Sequence, residues 1–390
     1  MGLISFLFLS ILIISGDTAR FFDRFFGMDR IIKFQRKFSL IICIFVVLHP
    51  VFFIAAESVP ALDYLLPNFS VLPLALGTLS FYIFIVILIA SRLYKRISYD
   101  GWQYLHVLTY ILFFFVLYHA VNIGSSYNSS ALVKTIYFFM LIFVLIGIVY
   151  RTNYKLKQRG LKFFVKNIEW ETKDAFTLTL KPNKQFSFKA GQFCFLRLKK
   201  DKLYARHPFT ISSSPKEENL SFTMKLTGRF TKAASELKKG EEVIVDGPFG
   251  IFTIEDHEKD LVFIAGGVGI APFMSMIKNQ LESEKKQNVL LLYGSKTKDD
   301  IIFKKQLDSV KKVWFKKVYV LDKVDSNDTS TEKFEKGPIR KEMIESYVKD
   351  VKNSLFYICG PEPMKEYVKK ILLSELKVSK NNIRIESFFW

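Results

Sequence analysis

Five apolar stretches fill most of the first 150 residues, at about 3–16, 38–56, 71–91, 103–123 and 132–150. The last four have the length of about 20 residues that a helix needs to cross the hydrocarbon core of a bilayer. The first is shorter, and Leu3–Ile14 has the size of a signal-peptide core. No Lys or Arg precedes it and no small-residue cleavage site follows, so it reads as a short membrane span. Hydrophobic residues make up 50% of the chain and aromatics 16%, and the mean hydropathy is +0.18. Those values are high for a soluble protein, and the excess lies before residue 151. The chain is therefore a composite, an α-helical membrane bundle of about five spans followed by a soluble half.

The loops between the spans alternate in charge. Arg20, Arg24, Arg30, Lys33, Arg36 and Lys37 follow the first span, and Arg92, Lys95 and Arg96 follow the third. Arg151, Lys155 and Lys157 follow the fifth, whereas the second loop has only Glu57 and Asp63 and Asn122–Ser130 has no Lys or Arg. Cytoplasmic loops collect Lys and Arg. The pattern thus predicts an integral protein of the cell membrane with its N-terminus outside and everything after residue 151 in the cytoplasm. The net charge is +19, with 13 Lys/Arg against 6 Asp/Glu up to Lys157 and 43 against 31 beyond it. Many basic residues flank spans and none form a single arm, which points to membrane lipid and away from nucleic acid. Cys43, Cys194 and Cys359 form neither a paired framework nor a zinc spacing.

The membrane half contains three histidines, His49 in the second span and His106 and His119 in the fourth. Ionisable residues inside spans are rare and usually functional. The two spans run in parallel, so His49 and His119 fall at similar depth toward the outer face and His106 near the inner face. Two imidazoles from facing helices can clamp a haem iron; the alternative is that they are polar residues packing helix against helix. His106 and His119 are 13 residues apart, an offset of about 140° on a straight helix. A bulge or kink is needed to turn both to one partner.

From about residue 161 the pattern becomes short alternating runs, such as Ala175–Leu180 and Leu220–Leu226, separated by Gly, Pro and Lys turns. This predicts an antiparallel β-barrel. After Asp260, apolar strands alternate with helical segments, predicting an α/β domain with a parallel sheet. The expected domains are 1–158, 159–257 and 258–390. Gly266-Gly267-Val268-Gly269 ends one strand and opens a helix near Pro272. Such a turn presents backbone N–H groups to a pyrophosphate, although a glycine loop alone also serves as a tight turn.

These segments occur in an order that resembles the ferric reductase and NADPH oxidase superfamily, a haem-carrying transmembrane domain fused to a ferredoxin-reductase-like dehydrogenase. The resemblance covers about residues 161–390 for the dehydrogenase and, more loosely, 17–150 for the membrane part. Its strongest element is His207-Pro208-Phe209-Thr210, continued by Ile211-Ser212-Ser213. It implies that this strand end, with Ser212 and Ser213, binds FAD. Phe209 is then expected to pack on the flavin and Thr210 to hydrogen-bond its ring. His207 stands where relatives use Arg for the cofactor phosphates, and Arg206 is placed to share that role. Gly228-Arg229-Phe230-Thr231 resembles a second FAD loop, implicating Gly228 and Thr231. Gly191-Gln192-Phe193 and Asp246–Gly250 match structural turns.

Gly266, Gly267, Gly269 and Pro272 match the pyrophosphate loop of NAD(P)H. Ser295 and Lys296 fall where the adenosine ribose sits, with Lys296 or Lys298 available for the 2′-phosphate of NADPH; NADH is the alternative. Cys359-Gly360-Pro361 resembles the motif beside the nicotinamide, Cys359 positioning the hydride donor. Trp390, or else Phe389, would stack on the flavin and move aside for the nicotinamide. The implied cofactors are FAD, NAD(P)H and one or two b-type haems bound by His49, His106 and His119. Flavin accepts a hydride and releases single electrons, so it joins a two-electron donor to haem.

One position departs from the pattern. The superfamily has two histidines on each of two helices, and the first on the second span is here Gln35, 14 residues before His49. An outer haem keeps His49 and His119, whereas an inner haem has His106 facing an amide. Inner binding through His106 is expected to survive, and a five-coordinate inner haem would meet oxygen on the cytosolic side. The expected activity is transmembrane electron transfer to oxygen or ferric iron. A flavoprotein reductase working on quinone at the inner side is the competing reading, and a non-catalytic scaffold is disfavoured by the FAD and dinucleotide motifs. The sequence names no protein partner.

Overall fold

A backbone in hydrocarbon has no water to bond, so the apolar stretches fold as helices. In the computed structural model these are α1 (Gly2–Asp17), α3 (Met28–Glu57), α4 (Leu72–Arg92), α5 (Tyr99–Ile123) and α6 (Ala131–Arg159), with a short helix α2 (Ala19–Phe26) after α1. The structure describes residues 2–57, 65–93, 99–159, 161–198, 206–255, 258–284, 286–323 and 334–386. It forms two compact units, the first spanning Met1–Gly160 and the second beginning at Leu161.

Among the described residues, four helices are long and apolar enough to cross a membrane, and the pair α1–α2, bent by 80°, makes a fifth if it is one span. The α3 helix starts ten residues before the apolar stretch that reveals it in the sequence. Its 30 residues reach about 45 Å, more than the core thickness of about 30 Å. The basic turns from Arg30 to Lys37 therefore extend past the hydrocarbon, where polarity hides them from a hydropathy reading. The α2 helix presents Phe21, Phe22, Phe25 and Phe26 as exposed rings, and Arg24 stacks on Phe21 at 4.1 Å and Phe25 at 4.7 Å. Interleaved Phe and Arg on a short helix at the end of a span suit the membrane interface. Leu40, Ile44, Val51, Phe52, Ile89, Phe138, Ile146 and Val149 are exposed on the long helices, as expected where lipid is the solvent.

The interior of this unit is aromatic and ionic. Phe6 of α1 is fully buried and stacks on Tyr137 of α6 at 4.0 Å and Phe113 of α5 at 5.5 Å. At the other end of α1, buried Asp17 accepts hydrogen bonds through one oxygen from the Tyr110 hydroxyl at 2.6 Å and from Arg151 at 3.0 Å. Arg151 also donates to the Tyr110 oxygen at 3.0 Å. Three helices are thus tied by one carboxylate.

The second unit has two six-stranded sheets. The strands β1 (Phe163–Thr172), β2 (Ala175–Pro182), β3 (Phe193–Leu198), β4 (His207–Thr210), β5 (Leu220–Lys225) and β6 (Glu242–Phe249) pair antiparallel in the order β4-β3-β6-β1-β2-β5. They enclose Phe163, Phe176, Leu178, Leu196, Phe222 and Val243. The α7 helix (Arg229–Ser235) caps this sheet.

The second sheet is parallel. It comprises β7 (Leu261–Gly266), β8 (Val289–Ser295), β9 (Phe315–Leu321), β10 (Glu335–Lys336), β11 (Leu355–Cys359) and β12 (Ile383–Ile385), in the order β10-β9-β8-β7-β11-β12. Helices α8 (Ala271–Leu281), α9 (Lys304–Ser309), α10 (Lys341–Tyr347) and α11 (Glu362–Lys370) lie between its strands in the chain. Buried residues alternate between two clusters, one containing Phe263, Leu291 and Tyr357 and the other Val262, Leu292 and Phe356. Both faces are covered, which explains the continuous apolar strands. From β7 the chain runs outward to β8, β9 and β10, then returns to place β11 on the other side of β7. The topological switch point of the sheet therefore lies between β7 and β11.

Asp17→Ala leaves the Tyr110 hydroxyl and the Arg151 guanidinium without their common acceptor. Because Arg151 is 26% exposed, the expected loss is near the low end for a broken buried pair, about 3 kcal/mol. Thermal unfolding in detergent will read it as a lowered Tm, with a smaller loss for Asp17→Asn.

Candidate functional site

Two glycine motifs meet at the switch point. Strand β7 ends at Gly266, and Cys359 of β11 pairs with Ala265 just before it. A side chain on Gly269 would collide with the Cys359 carbonyl, and a Cβ on Gly360 would lie 3.0 Å from Gly266 Cα. A Cβ on Gly266 would lie 2.6 Å from the Met364 sulfur and 2.9 Å from Pro361. These three glycines let the loops after β7 and β11 close on each other. Gly267 differs: its φ is +52° and a Cβ there meets nothing within 4 Å. Its backbone faces open space directly before α8, which has Pro272 in its first turn. That is the arrangement which offers N–H groups to a pyrophosphate.

Tyr293 of β8 is fully buried, donates to the Gly267 carbonyl at 3.0 Å and accepts from Ile302 N at 3.2 Å. Burial pushes its phenol up, so it stays a donor to the loop. Ser295 is buried at the end of β8 and donates to the Asp300 carbonyl at 3.3 Å. Lys296 beside it is exposed, whereas Lys298 lies over the Phe334 ring at 5.5 Å. Burial, with the Glu386 carboxylate adding to it and Lys365 opposing, pushes the Cys359 thiol up. A protonated, buried thiol positions a neighbour and is no nucleophile.

The barrel supplies a second cluster at β4. The His207 ring lies 4.4 Å from the Phe230 ring, and Phe209 stacks on the same ring at 5.5 Å. Burial lowers the pKa of His207, so the imidazole is neutral at neutral pH. Arg206 lies over Phe195 at 4.3 Å and reaches Asp246 at 3.4 Å. Pro208 pairs with Phe195 and Thr210 with Phe193 across β3–β4. Gly228 is extended, at φ −172°, so its conformation suits any residue. A Cβ there meets nothing within 4 Å, so the glycine keeps a stretch of backbone bare toward open space. Thr231 folds under it, accepting from Thr227 N at 3.0 Å and Gly228 N at 3.2 Å.

Ser212 and Ser213 are fully buried and their hydroxyls are used within the protein. Ser212 accepts from Thr223 at 3.0 Å, Ser213 accepts from Ser221 N at 3.1 Å, and Ser275 of α8 donates to the Ser213 carbonyl at 2.6 Å. Their contacts join the two sheets. The turns at Gly191 and Gly250 are linked by Gln192, which donates to the Gly250 carbonyl at 3.1 Å.

In the helical unit, the rings of His49 on α3 and His119 on α5 lie 6.4 Å apart, with planes at 86°. Two metal–imidazole bonds of about 2 Å, with about 1 Å more to each ring centre, add to about 6 Å. The pair thus has the separation of two axial ligands on one iron. His119 Nδ1 lies 2.9 Å from the Pro73 carbonyl. The oxygen can only accept, so Nδ1 carries the proton and Nε2 is left with its lone pair, as a metal ligand requires. Gln35 donates to Ser15 at 3.3 Å and lies against Gly16, so its amide is engaged with α1. The His49–His119 pair thus has the separation that a bis-imidazole haem would need, and His106 has no second imidazole beside it among the described residues.

Comparison with known proteins matches three parts of the chain to families. Residues 1–117 match the ferric reductase like transmembrane component family, 161–253 an FAD-binding domain and 263–370 an oxidoreductase NAD-binding domain. The chain belongs to the ferric reductase and NADPH oxidase superfamily. It is similar to the glycine betaine monooxygenase reductase subunit of Chromohalobacter salexigens, 32% identical over 48% of this chain and 53% of that protein. It is also similar to NADH-cytochrome b5 reductase 1 of Eremothecium gossypii, 34% identical over 38% of this chain and 53% of that protein. The chain thus spans about half the length of these relatives. Among solved structures, the FAD/NAD binding domain of nitric oxide dioxygenase from Vibrio cholerae shares the fold, with a TM-score of 0.52 and 19% identity over 58% of this chain and 98% of that one. The protein is a membrane-associated oxidoreductase with FAD- and NAD-binding domains.

Within the superfamily's plan, the loops of Gly266–Gly269 and Cys359–Pro361 are brought together. His207 and Phe209 are brought together through Phe230, a residue inside a recognised motif whose contact with β4 is too distant in sequence to read. Tyr293 heads the segment that ends in Ser295 and Lys296, but its bond to the Gly267 carbonyl is too distant in sequence to read. Trp390 and Phe389 lie outside the described residues.

Gly269→Ala is expected to force the β7 and β11 loops apart, raising KM for the dinucleotide tenfold or more with less change in FAD content; steady-state dye reduction will measure it. His207 offers a pH test. A phosphate beside it favours the protonated ring, so FAD should bind more tightly as pH falls from 7.5 to 5.5. His207→Arg should remove that dependence and tighten binding at pH 7.5 about tenfold, the worth of one charge-assisted hydrogen bond. Flavin fluorescence titration checks both.

Proposed function

We propose that the protein takes electrons from cytosolic NAD(P)H and passes them through FAD and a b-type haem to an acceptor on the outer side, oxygen or ferric iron. The observation that carries this reading is the His49–His119 ring separation of 6.4 Å, together with a tautomer that leaves Nε2 of His119 free to ligate. The positive-inside pattern supports the orientation, with this pair in the outer half and the second unit in the cytoplasm.

FAD supplies the chemistry that converts hydride transfer into single-electron steps. The chain's own residues do the rest. Gly267 and the start of α8 hold the dinucleotide pyrophosphate, while Ser295 and the exposed Lys296 face its adenosine end, Lys296 favouring NADPH. Gly266, Gly269 and Gly360 bring the Cys359-Gly360-Pro361 loop close, and the neutral Cys359 thiol positions the nicotinamide. Phe209 and Thr210 of β4 take the flavin, with Arg206, His207 and the bare backbone at Gly228 toward its phosphates. His49 and His119 would hold the haem.

A second reading is favoured by Gln35. With its amide bonded to Ser15, the inner position lacks a second imidazole and no step is assigned to an inner haem. If electrons leave on the cytosolic side, the chain is a flavoprotein reductase of membrane quinone.

The deciding measurement is haem and FAD per chain in detergent, with a reduced-minus-oxidised spectrum taken after adding NAD(P)H. One low-spin haem reduced through FAD, and lost in both His49→Ala and His119→Ala while NAD(P)H–dye reduction persists, is the expected result. FAD turnover with no haem reducible by NAD(P)H would transfer the assignment to the second reading.

A further inference from the structure

The imidazole of His119 is seated on the backbone of a neighbouring span. Its acceptor, the Pro73 carbonyl, belongs to the first turn of α4. In a helix the carbonyl of one residue accepts from the N–H four residues on, here Gly77. The side chain of that later residue stands beside the carbonyl and covers it. At Gly77 there is no side chain, and the ring of His119 occupies the place. A Cβ on Gly77 would overlap His119 Nδ1, lie 2.7 Å from Cε1 and 3.1 Å from Cγ. Glycine is unfavourable inside a helix relative to alanine, and Gly77 has no positive φ that would call for it. The 21-residue helix around it is otherwise predominantly apolar. The three atoms nearest to its missing side chain all belong to the His119 ring.

We propose that Gly77 is a positioning residue, a notch in α4 that seats His119 against the Pro73 carbonyl and so fixes the orientation and tautomer of a haem ligand. The inference rests on His119 ligating haem. A carbonyl accepting from Nδ1–H makes Nε2 a stronger donor to the metal, and such outer partners commonly change metal affinity 10–100-fold. Alanine at position 77 pushes the ring off the carbonyl. The bond from Nδ1 to Pro73 is lost, and the ring plane turns with respect to His49.

The test uses the full chain in detergent. Gly77→Ala should keep its helical circular dichroism, FAD content and NAD(P)H–dye reduction. Its haem should dissociate tenfold or more faster, its midpoint potential should rise, and part of its low-spin electron paramagnetic resonance signal should become high-spin. A wild-type signal, potential and off-rate in Gly77→Ala would overturn the proposal. A purely structural glycine is separated by repeating the substitution in a His119→Gly background. There the notch has nothing to admit, so Gly77→Ala should leave Tm unchanged or raise it; a Tm loss matching that in the wild-type background would show that the glycine serves helix packing, and the proposal would fall. A wild-type haem signal indifferent to His119→Gly, or no haem at all, would instead remove the ligand assignment itself, and this proposal with it.

Discussion

Hydrocarbon cannot solvate a polar side chain, and that constraint organises the helical unit. Each polar group inside it needs a protein partner, because an unpaired one costs several kcal/mol. The solutions differ at the two ends of the bundle. At one end a single oxygen of Asp17 accepts from both Tyr110 and Arg151 and so fastens α1 to α5 and α6. At the other, His119 is held through Nδ1 by a backbone carbonyl. A carboxylate bonded to two side chains from different helices holds those helices together. An imidazole held by one nitrogen keeps the other for a ligand, which is why tautomer distinguishes a packing histidine from a coordinating one.

The second unit meets a different constraint, the approach of two backbones. Parallel strands β7 and β11 are neighbours, so their following loops emerge side by side. Any Cβ at Gly266, Gly269 or Gly360 would hold them apart. Gly267 and Gly228 are glycines of another kind, with open space where a side chain would be. The first group is explained by protein touching protein. At Gly267 the positive φ calls for glycine, and Gly228 is the N-cap of α7, a position that suits glycine.

Much of this architecture is legible in the sequence because its signals are local. Apolar runs of span length, alternation in the barrel strands and the strand–glycine–helix order each act over fewer than about 25 residues. The limits of α3 and α6 were less legible, since a helix continues into water once its residues turn polar and hydropathy no longer tracks it. The contacts of Phe230 with His207 and Phe209 depend on pairing across the barrel. The same holds for Ser212 and Ser213. Their place in a motif suggests cofactor contact, but the hydroxyls of Thr223 and Ser275 arrive from other elements and bond them within the protein. Gly77 was invisible for a similar reason, because an isolated glycine in an apolar span carries no mark until the residue opposite it is known.

Gln35 shows what one substitution does to an inherited plan. Imidazole offers a single lone pair in a fixed direction, whereas a primary amide has two donors and an acceptor and bonds readily to a neighbouring helix. In this protein it bonds to Ser15 on α1. Asp17, two residues further along α1, is tied to α5 and α6. The Asp17 end of α1 is therefore anchored to three helices by polar contacts. His106 stays on the same helix as Tyr110, one turn before it, and so lies next to this anchored polar region. The Asp17 end of the bundle is thus a hydrogen-bonded joint, and the other end sets two imidazole rings 6.4 Å apart.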